Sequence, residues 1–238
     1  MVALLCLRAT TVLLAREPGV HYLHQGAMPP GAIGSRQLQR GGPLPGFFQP
    51  VQIKAPPGVL VSLAASGQLN QPQAAPLRVG MLIGQVYRLR VMNVPRNPGL
   101  EVFPTVEVID RLYAPPGQQR RFAIPVELTQ VDLELARDGK FVTRVIYLED
   151  PQRALPVRDD PRAQGWFEVG PRRDPLAVAD ELGRPVAILR MGARLPDDTQ
   201  APDPHFLFGC PPFEQYEAAT AASPASEAPR GAPEAPQP

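Results

Sequence analysis

Cysteine is almost absent from the sequence, with Cys6 near the start and Cys210 near the end of its 238 residues. Two cysteines exclude a disulfide framework and any metal site built from several thiolates. No charge of one sign dominates either, since 24 basic and 23 acidic residues give a formal net charge of +1. Because no overall field attracts nucleic acid or an anionic membrane, neither is predicted as a partner.

Long apolar runs are also missing. The most apolar stretch is 1–15 (MVALLCLRATTVLLA), which is too short to span a bilayer but matches the length of a signal-peptide core. It has no basic residues ahead of its apolar run, so we interpret it as a remnant of an export signal. A hydrophobic strand or helix is the alternative. The sequence therefore predicts an exported protein, in the periplasm, the cell envelope or outside the cell, with no transmembrane span.

Proline and glycine are abundant, at 32 and 20 residues. A proline costs about 3 kcal/mol inside a helix but is tolerated in turns and edge strands, so this composition favours short strands joined by turns. Residues 16–49 follow neither the strand nor the helix period and are predicted to form a Pro/Gly-rich arm. Residues 196–238 are rich in proline and alanine, and we expect a disordered low-complexity tail there.

Strand patterns fill residues 50–195, with a polar connection at 151–165 that is a candidate sub-boundary. Apolar and polar residues alternate between turn residues, as they do in strands with one buried face. The predicted strands cover 51–54, 59–64, 79–83, 86–91, 100–112, 122–128, 141–148, 166–169 and 185–191. This arrangement predicts a mainly β protein with a β-sandwich-like body of the immunoglobulin or fibronectin type.

Two short helices are expected within this body. The first covers 129–139, where Thr129 can cap the N-terminus and Gly139 can take the left-handed position after the last turn. The same residues also fit the strand of a hairpin, and we favour the helix. The second helix begins at Asp174 and Pro175, an N-cap residue followed by proline at the first helical position, and it ends before Gly183.

Metal-binding residue types come together only once, at His21, His24 and Met28. Imidazole and thioether ligands suit copper or another soft metal. Prolines and a glycine surround the three residues, so a chance cluster in the arm is the favoured interpretation. We accordingly predict no metal site and no cofactor.

Candidate catalytic residues are equally sparse. His205 and Cys210 could form an activated thiol, but an apolar patch is the better interpretation of this segment, with Phe206, Leu207, Phe208 and Phe213 as its members. The acidic pairs Asp159-Asp160 and Asp197-Asp198 lack a calcium-binding loop and are interpreted as solvated turns. A single Arg40-Gly41-Gly42 carries almost no weight as an RNA-binding motif.

Four segments carry a resemblance to a known family: RGGPLPGFFQPVQI, GQVYRLRV, PTVEVIDRLYAPPG and GKFVTRVIYLED. Together they make the chain similar, over residues 21–195, to a family of exported bacterial proteins with a predicted signal peptide and no known function. The resemblance implies export and a β-rich body. It implies no activity, and no functional residue is carried over from it.

These patterns predict a non-catalytic cell-envelope or periplasmic protein that acts as a protein-binding or structural module. Its expected partner is an envelope protein or a second copy of the chain. Acids and histidines lie in turns, whereas strands alternate apolar residues with Arg, Gln and Glu, which is typical of binding modules. One alternative is an enzyme with an unrecognised site, in which Asp110, Glu149 or His205 would lie beside a nucleophile. The other is a metal-handling protein that uses His21 and His24.

Overall fold

The computed structural model describes residues 29–153, 164–166, 168–170, 173–197 and 203–216. Several predicted features lie outside these residues. They are the possible export signal at 1–15, the metal candidates His21, His24 and Met28, the acidic residues Asp159, Asp160 and Asp198, and the end of the predicted tail at 217–238.

Short strands make up most of the described part of the chain, as the composition predicts. The α-helices are α1 (Ala32–Gln39), α2 (Gln130–Arg137) and α3 (Pro175–Leu182). The strands are β1 (Phe48–Lys54), β2 (Leu60–Ala65), β3 (Gln68–Leu69), β4 (Gln73–Ala74), β5 (Leu77–Leu82), β6 (Val86–Met92), β7 (Thr105–Val108), β8 (Ile124–Glu127), β9 (Val142–Glu149), β10 (Gly183–Met191) and β11 (Phe213–Tyr216).

These strands form two sheets that share one apolar core. The first has the order β11-β5-β1-β8, and the second has the order β3-β2-β6-β7-β10-β9, with β4 also paired to β2. β1 and β8 run parallel to each other. Both sheets contribute fully or nearly fully buried residues to the core, among them Val51, Met81 and Ile124 from the first and Leu63, Leu89, Val106 and Leu189 from the second. A mainly β, sandwich-like body is therefore confirmed.

Helices cover the outer face of the seven-stranded sheet. Ile33 of α1 and Leu176 of α3 are buried in one cluster with Ile109 and Ile188. Helix α2 has a different position, because it follows β8 of the first sheet and precedes β9 of the second. It therefore connects the two layers at one side of the sandwich.

Both predicted helices are confirmed, and their local caps explain why. The Thr129 side chain accepts a hydrogen bond from the Asp132 N–H, 3.1 Å away, so residues 130–137 form a helix rather than a hairpin strand. The Asp174 side chain accepts one from the Leu176 N–H at 3.0 Å, with proline in the first turn as predicted.

The prediction of an extended arm over 16–49 does not hold for residues 32–39, which form α1. The N-cap residue, Gly31, has no side chain to cap this helix. A remote carboxylate does so instead, because the Gly34 N–H donates to Glu107 Oε1 of β7 at 2.8 Å. An acceptor 73 positions away leaves no local sequence signal.

The tail prediction for 196–238 likewise does not hold for residues 203–216. Phe206 and Leu207 of this segment are buried, and β11 pairs antiparallel with β5. The Tyr87 hydroxyl donates to the Pro212 carbonyl at 2.7 Å and accepts from the Leu82 N–H, which fixes the chain just before β11. Burial raises the pKa of Tyr87 to about 12.

Two strand predictions also need correction. The predicted strand at 166–169 is wrong, since the described residues from 164 to 170 have no regular structure. The predicted strand at 100–112 is reduced to β7 and an isolated bridge at Val102. Pro104 lies between them and has no N–H to donate to a ladder, which explains the break.

Candidate functional site

The edge of the seven-stranded sheet at β9 is open. β9 pairs with β10 along its full length, from Val142 opposite Met191 to Glu149 opposite Gly183. In the described part of the chain, no strand pairs with its other edge. Every second residue of an antiparallel strand directs its N–H and C=O away from its partner. β9 therefore presents a row of backbone donors and acceptors that another strand could use.

A groove of about 440 Å³ follows this edge, with α2, residues 164–166 and residues 168–169 among its walls. We call it the β9 groove. Its apolar lining includes side chains that are unusually exposed for their size, with Val131 at 58%, Phe141 at 64% and Trp166 at 55%. Leu135 of α2 also lines it and is 38% exposed. Large apolar side chains gathered in one concave surface indicate a binding site rather than scattered surface residues.

One ion pair fixes the relation between α2, β9 and Trp166. Arg144 of β9 donates through Nε and Nη2 to the two carboxylate oxygens of Asp132, at 2.8 and 2.7 Å. Asp132 is 1% exposed, so its charge is desolvated and depends on this partner. The same guanidinium lies 4.5 Å from the centre of the Trp166 ring. These contacts give the groove a defined shape before any ligand binds.

Two further carboxylates line the groove. Glu127, the last residue of β8, accepts a hydrogen bond from the Gln164 N–H at 3.1 Å through Oε2. Glu168 also lines the groove and is exposed. Neither forms an ion pair with another of the described residues. Burial, followed by the charge of Glu149, raises the pKa of Tyr147, which also lines the groove.

The described lining of the groove has few reactive side chains. Its described lining contains no histidine, cysteine, serine or lysine, and its hydroxyl groups are those of Thr129, Thr143 and Tyr147. No pair of these groups has the arrangement of a nucleophile and its general base among the hydrogen bonds of the described residues. What it offers is an open backbone edge, apolar side chains and carboxylates.

The catalytic candidates from the sequence do not come together at this groove. Asp110 forms an ion pair with Arg184, and Glu149 is exposed at the end of β9. His205 is exposed, and its backbone N–H donates to Asp203 Oδ1 at 2.8 Å. Cys210 is a half-buried free thiol against an apolar cluster. None of these residues lines the groove.

The remaining candidates offer no alternative site. Arg40 is the C-cap of α1, and Gly41 and Gly42 follow it with positive φ. Within the described residues, no three His, Cys, Asp or Glu side chains are placed to hold a metal ion. Neither do these residues include a helix with the length and apolar character that a membrane span requires.

The predicted apolar patch is confirmed for Phe206, Leu207 and Phe208, which cover a buried arginine, but Phe213 lies in β11 and packs against the main core instead. Arg88 of β6 is 5% exposed and donates to the carbonyls of Phe206 and Phe103, at 2.9 and 2.6 Å. Its guanidinium lies 4.4 Å from the Phe206 ring centre and 4.9 Å from that of Phe208. Burial, with a smaller contribution from Arg194, lowers its pKa to about 10. These contacts hold residues 203–210 on the outer face of the sheet.

Sequence reasoning missed the β9 groove. Its members are far apart in the chain, and an exposed phenylalanine cannot be told from a buried one by residue type. One available signal is that Trp166, the single tryptophan, comes directly after the polar connection at 151–165. Another is the length of β9, which the sequence does predict.

Fold and groove together define a β-sandwich-like domain in which the edge strand β9 borders an apolar groove. Comparison with protein-family models, with curated proteins and with solved structures found no match for this chain.

Proposed function

We propose that this protein is an exported, non-catalytic module that binds an extended segment of another cell-envelope protein in the β9 groove. The observation that carries the proposal is the open edge of β9 beside exposed apolar side chains. An extended segment that pairs with β9 would satisfy its outward-facing N–H and C=O groups. Side chains of that segment would at the same time cover Val131, Phe141 and Trp166.

β9 itself lacks three of the features that commonly prevent such pairing. Exposed edge strands are commonly protected by proline, by lysine or by a bulge. β9 contains neither proline nor lysine, and the irregularity in its ladder with β10 lies between Pro185 and Ala187, on the partner strand. Its one basic residue, Arg144, is occupied by Asp132. An edge left open in this way supports a role in strand addition.

Export belongs to the same proposal and has its own support in the apolar stretch at 1–15 and in the family resemblance. Cell fractionation tests it. We expect the native protein in the envelope or the medium, and a purely cytoplasmic location would contradict export without affecting the binding proposal.

Binding can be tested with a phage-displayed library of random twelve-residue peptides selected on the immobilised full-length chain. We expect enriched peptides whose synthetic versions change the fluorescence of Trp166, the single tryptophan of the chain. Phe141→Ser removes an apolar contact at the groove and should weaken binding by about tenfold or more.

The matched control is Phe122→Ser, because Phe122 is 46% exposed and lies outside the groove lining. This variant should bind the peptides as the unmodified chain does. Equal binding by the Phe141→Ser variant, or no enrichment of any peptide, would overturn the proposal. Concentration-dependent self-association that Phe141→Ser abolishes would show instead that the groove binds a second copy of the chain.

A further inference from the structure

We infer that the β9 groove selects basic segments, in which arginine or lysine alternates with apolar residues. This inference rests on the proposed function and adds the chemistry of the partner. The residues that determine the specificity are Glu127 and Glu168 of the groove lining.

The charged side chains of the lining favour a basic partner. Asp132, Glu127 and Glu168 supply three carboxylates, and Arg144 supplies the one basic side chain of the described lining. Arg144 is committed to Asp132 by two short hydrogen bonds. The groove is therefore left with the negative charges of Glu127 and Glu168, which no cation among the described residues balances.

Glu127 is placed to receive a donor from a bound segment. It is half-buried, and its Oε2 atom already accepts from the Gln164 N–H. Within the described residues, no hydrogen bond reaches its Oε1 atom. Partial burial strengthens a charge-assisted hydrogen bond, because the surrounding dielectric is lower than that of water.

Acidic groups beside the groove do not change this balance. Glu134 of α2 is paired with Arg96, and Asp138 is paired with Arg137. Hydrogen bonding, from Gln130 to Glu134 and from Arg137 to Asp138, is the main reason that the pKa values of both carboxyls lie below their ordinary range. Glu149, whose charge acts on Tyr147 of the lining, adds to the negative charge, and the surplus of the lining itself resides in Glu127 and Glu168.

Basic side chains match both properties of the groove. The long stems of arginine and lysine can pack on apolar surface such as that of Leu135 and Phe141, while their charged ends reach a carboxylate. An acidic segment would place its carboxylates near Glu127 and Glu168 and be rejected by like-charge repulsion. The groove thus combines attraction for one class of segment with exclusion of the opposite class.

The peptide selection described above tests this inference separately from the proposed function. We expect the enriched peptides to contain more arginine and lysine than the starting library and less aspartate and glutamate. Replacing the basic residues of the tightest peptide with glutamine should weaken its binding about tenfold at low salt and less at high salt. The Glu127→Gln/Glu168→Gln double variant should bind both peptides equally.

The control is the double variant Glu181→Gln/Glu214→Gln, which removes two carboxylates outside the groove lining and should retain the preference. Enriched peptides without a basic bias, or a preference that survives Glu127→Gln/Glu168→Gln, would overturn this inference while the proposed function stands. Failure of the selection to enrich any peptide would overturn both.

Discussion

Two of the buried carboxylates, Glu107 of β7 and Asp132 of α2, pair with arginines of the seven-stranded sheet in contrasting surroundings. Beneath α1, Glu107 is fully buried and its partner Arg190 is 6% exposed. At the edge, Asp132 is 1% exposed, but its partner Arg144 is 23% exposed and lines the β9 groove. Each pair joins an acid to an arginine of a neighbouring element. The difference is that one pair is covered by a helix and the other is open.

The part of the sheet beneath α1 has its buried polar groups paired and covered, whereas the part at β9 ends in an open edge. Glu107 accepts from Gly34 through Oε1, at 2.8 Å, and from Arg190 through Oε2, at 2.7 Å. Its carboxylate thereby pairs with an arginine of the neighbouring strand β10 and also caps α1. At β9 the ion pair is formed, but no strand of the described residues pairs with the outer edge, and Val131, Phe141 and Trp166 beside it are exposed. The part of the sheet at β9 can therefore still accept a partner.

The largest expected effect comes from breaking the covered pair. Glu107→Ala leaves Arg190 charged and buried and removes the cap of α1, so we expect a loss of about 3–5 kcal/mol in the free energy of unfolding. Urea denaturation measures it. Glu181→Ala is the control, because its pair with Arg173 is exposed on both sides and should contribute about 1 kcal/mol or less. Similar losses in the two variants would show that the covered pair contributes no more to stability than an exposed ion pair does.

Local patterns predict most of the sheet and two of the three helices of the described residues. β1 and β6 follow from alternation of apolar and polar residues, and β2, β5, β9 and β10 follow from runs of β-favouring residues between turns. α2 and α3 follow from Thr129 and Asp174, whose side chains cap the helices that they begin. In these elements the decisive interaction lies within a few residues of the element itself.

The elements that the sequence does not reveal depend on distant partners. α1 needs Glu107, and β11 is four residues long and is held by β5 and by Tyr87. The β9 groove is harder to predict from the sequence, because its lining comes from separate parts of the chain: α2, β9 and residues near Trp166. Its central contact, between Arg144 and Asp132, spans 12 positions and has no recurrent spacing in the sequence.

A smaller loss is expected when the open pair is broken. Arg144→Met keeps the length of the side chain but leaves the buried Asp132 carboxylate without its two donors, which should cost about 2 kcal/mol. Because Arg144 also lies against Trp166, the tryptophan emission should change in the folded protein. Urea denaturation followed by Trp166 fluorescence gives both quantities. A loss as large as that of Glu107→Ala would show that the groove is as closed as the region beneath α1.

The smallest expected change in stability concerns the packing of α1 on the seven-stranded sheet. Gly34 approaches the turn between β5 and β6 so closely that an added Cβ would lie 2.6 Å from the Cα atom of Gly84. The obstacle is backbone, which cannot rotate away as a side chain can. Overpacking of this kind costs about 1–3 kcal/mol. Alanine is favoured over glycine inside a helix by about 1 kcal/mol, which offsets part of that cost.

For Gly34→Ala we therefore expect a net loss of about 1 kcal/mol, the opposite sign to that of an ordinary glycine-to-alanine change in a helix. Ser35→Ala is the matched control, since Ser35 is the next residue of α1 and is exposed. It should stabilise the protein by about 0.5 kcal/mol through helix propensity alone. Thermal and urea unfolding of the two variants decide the sign. If Gly34→Ala is as stabilising as Ser35→Ala, α1 can move away from Gly84 at no cost, and the region beneath it is less tightly closed than the contact of Gly34 with Glu107 indicates.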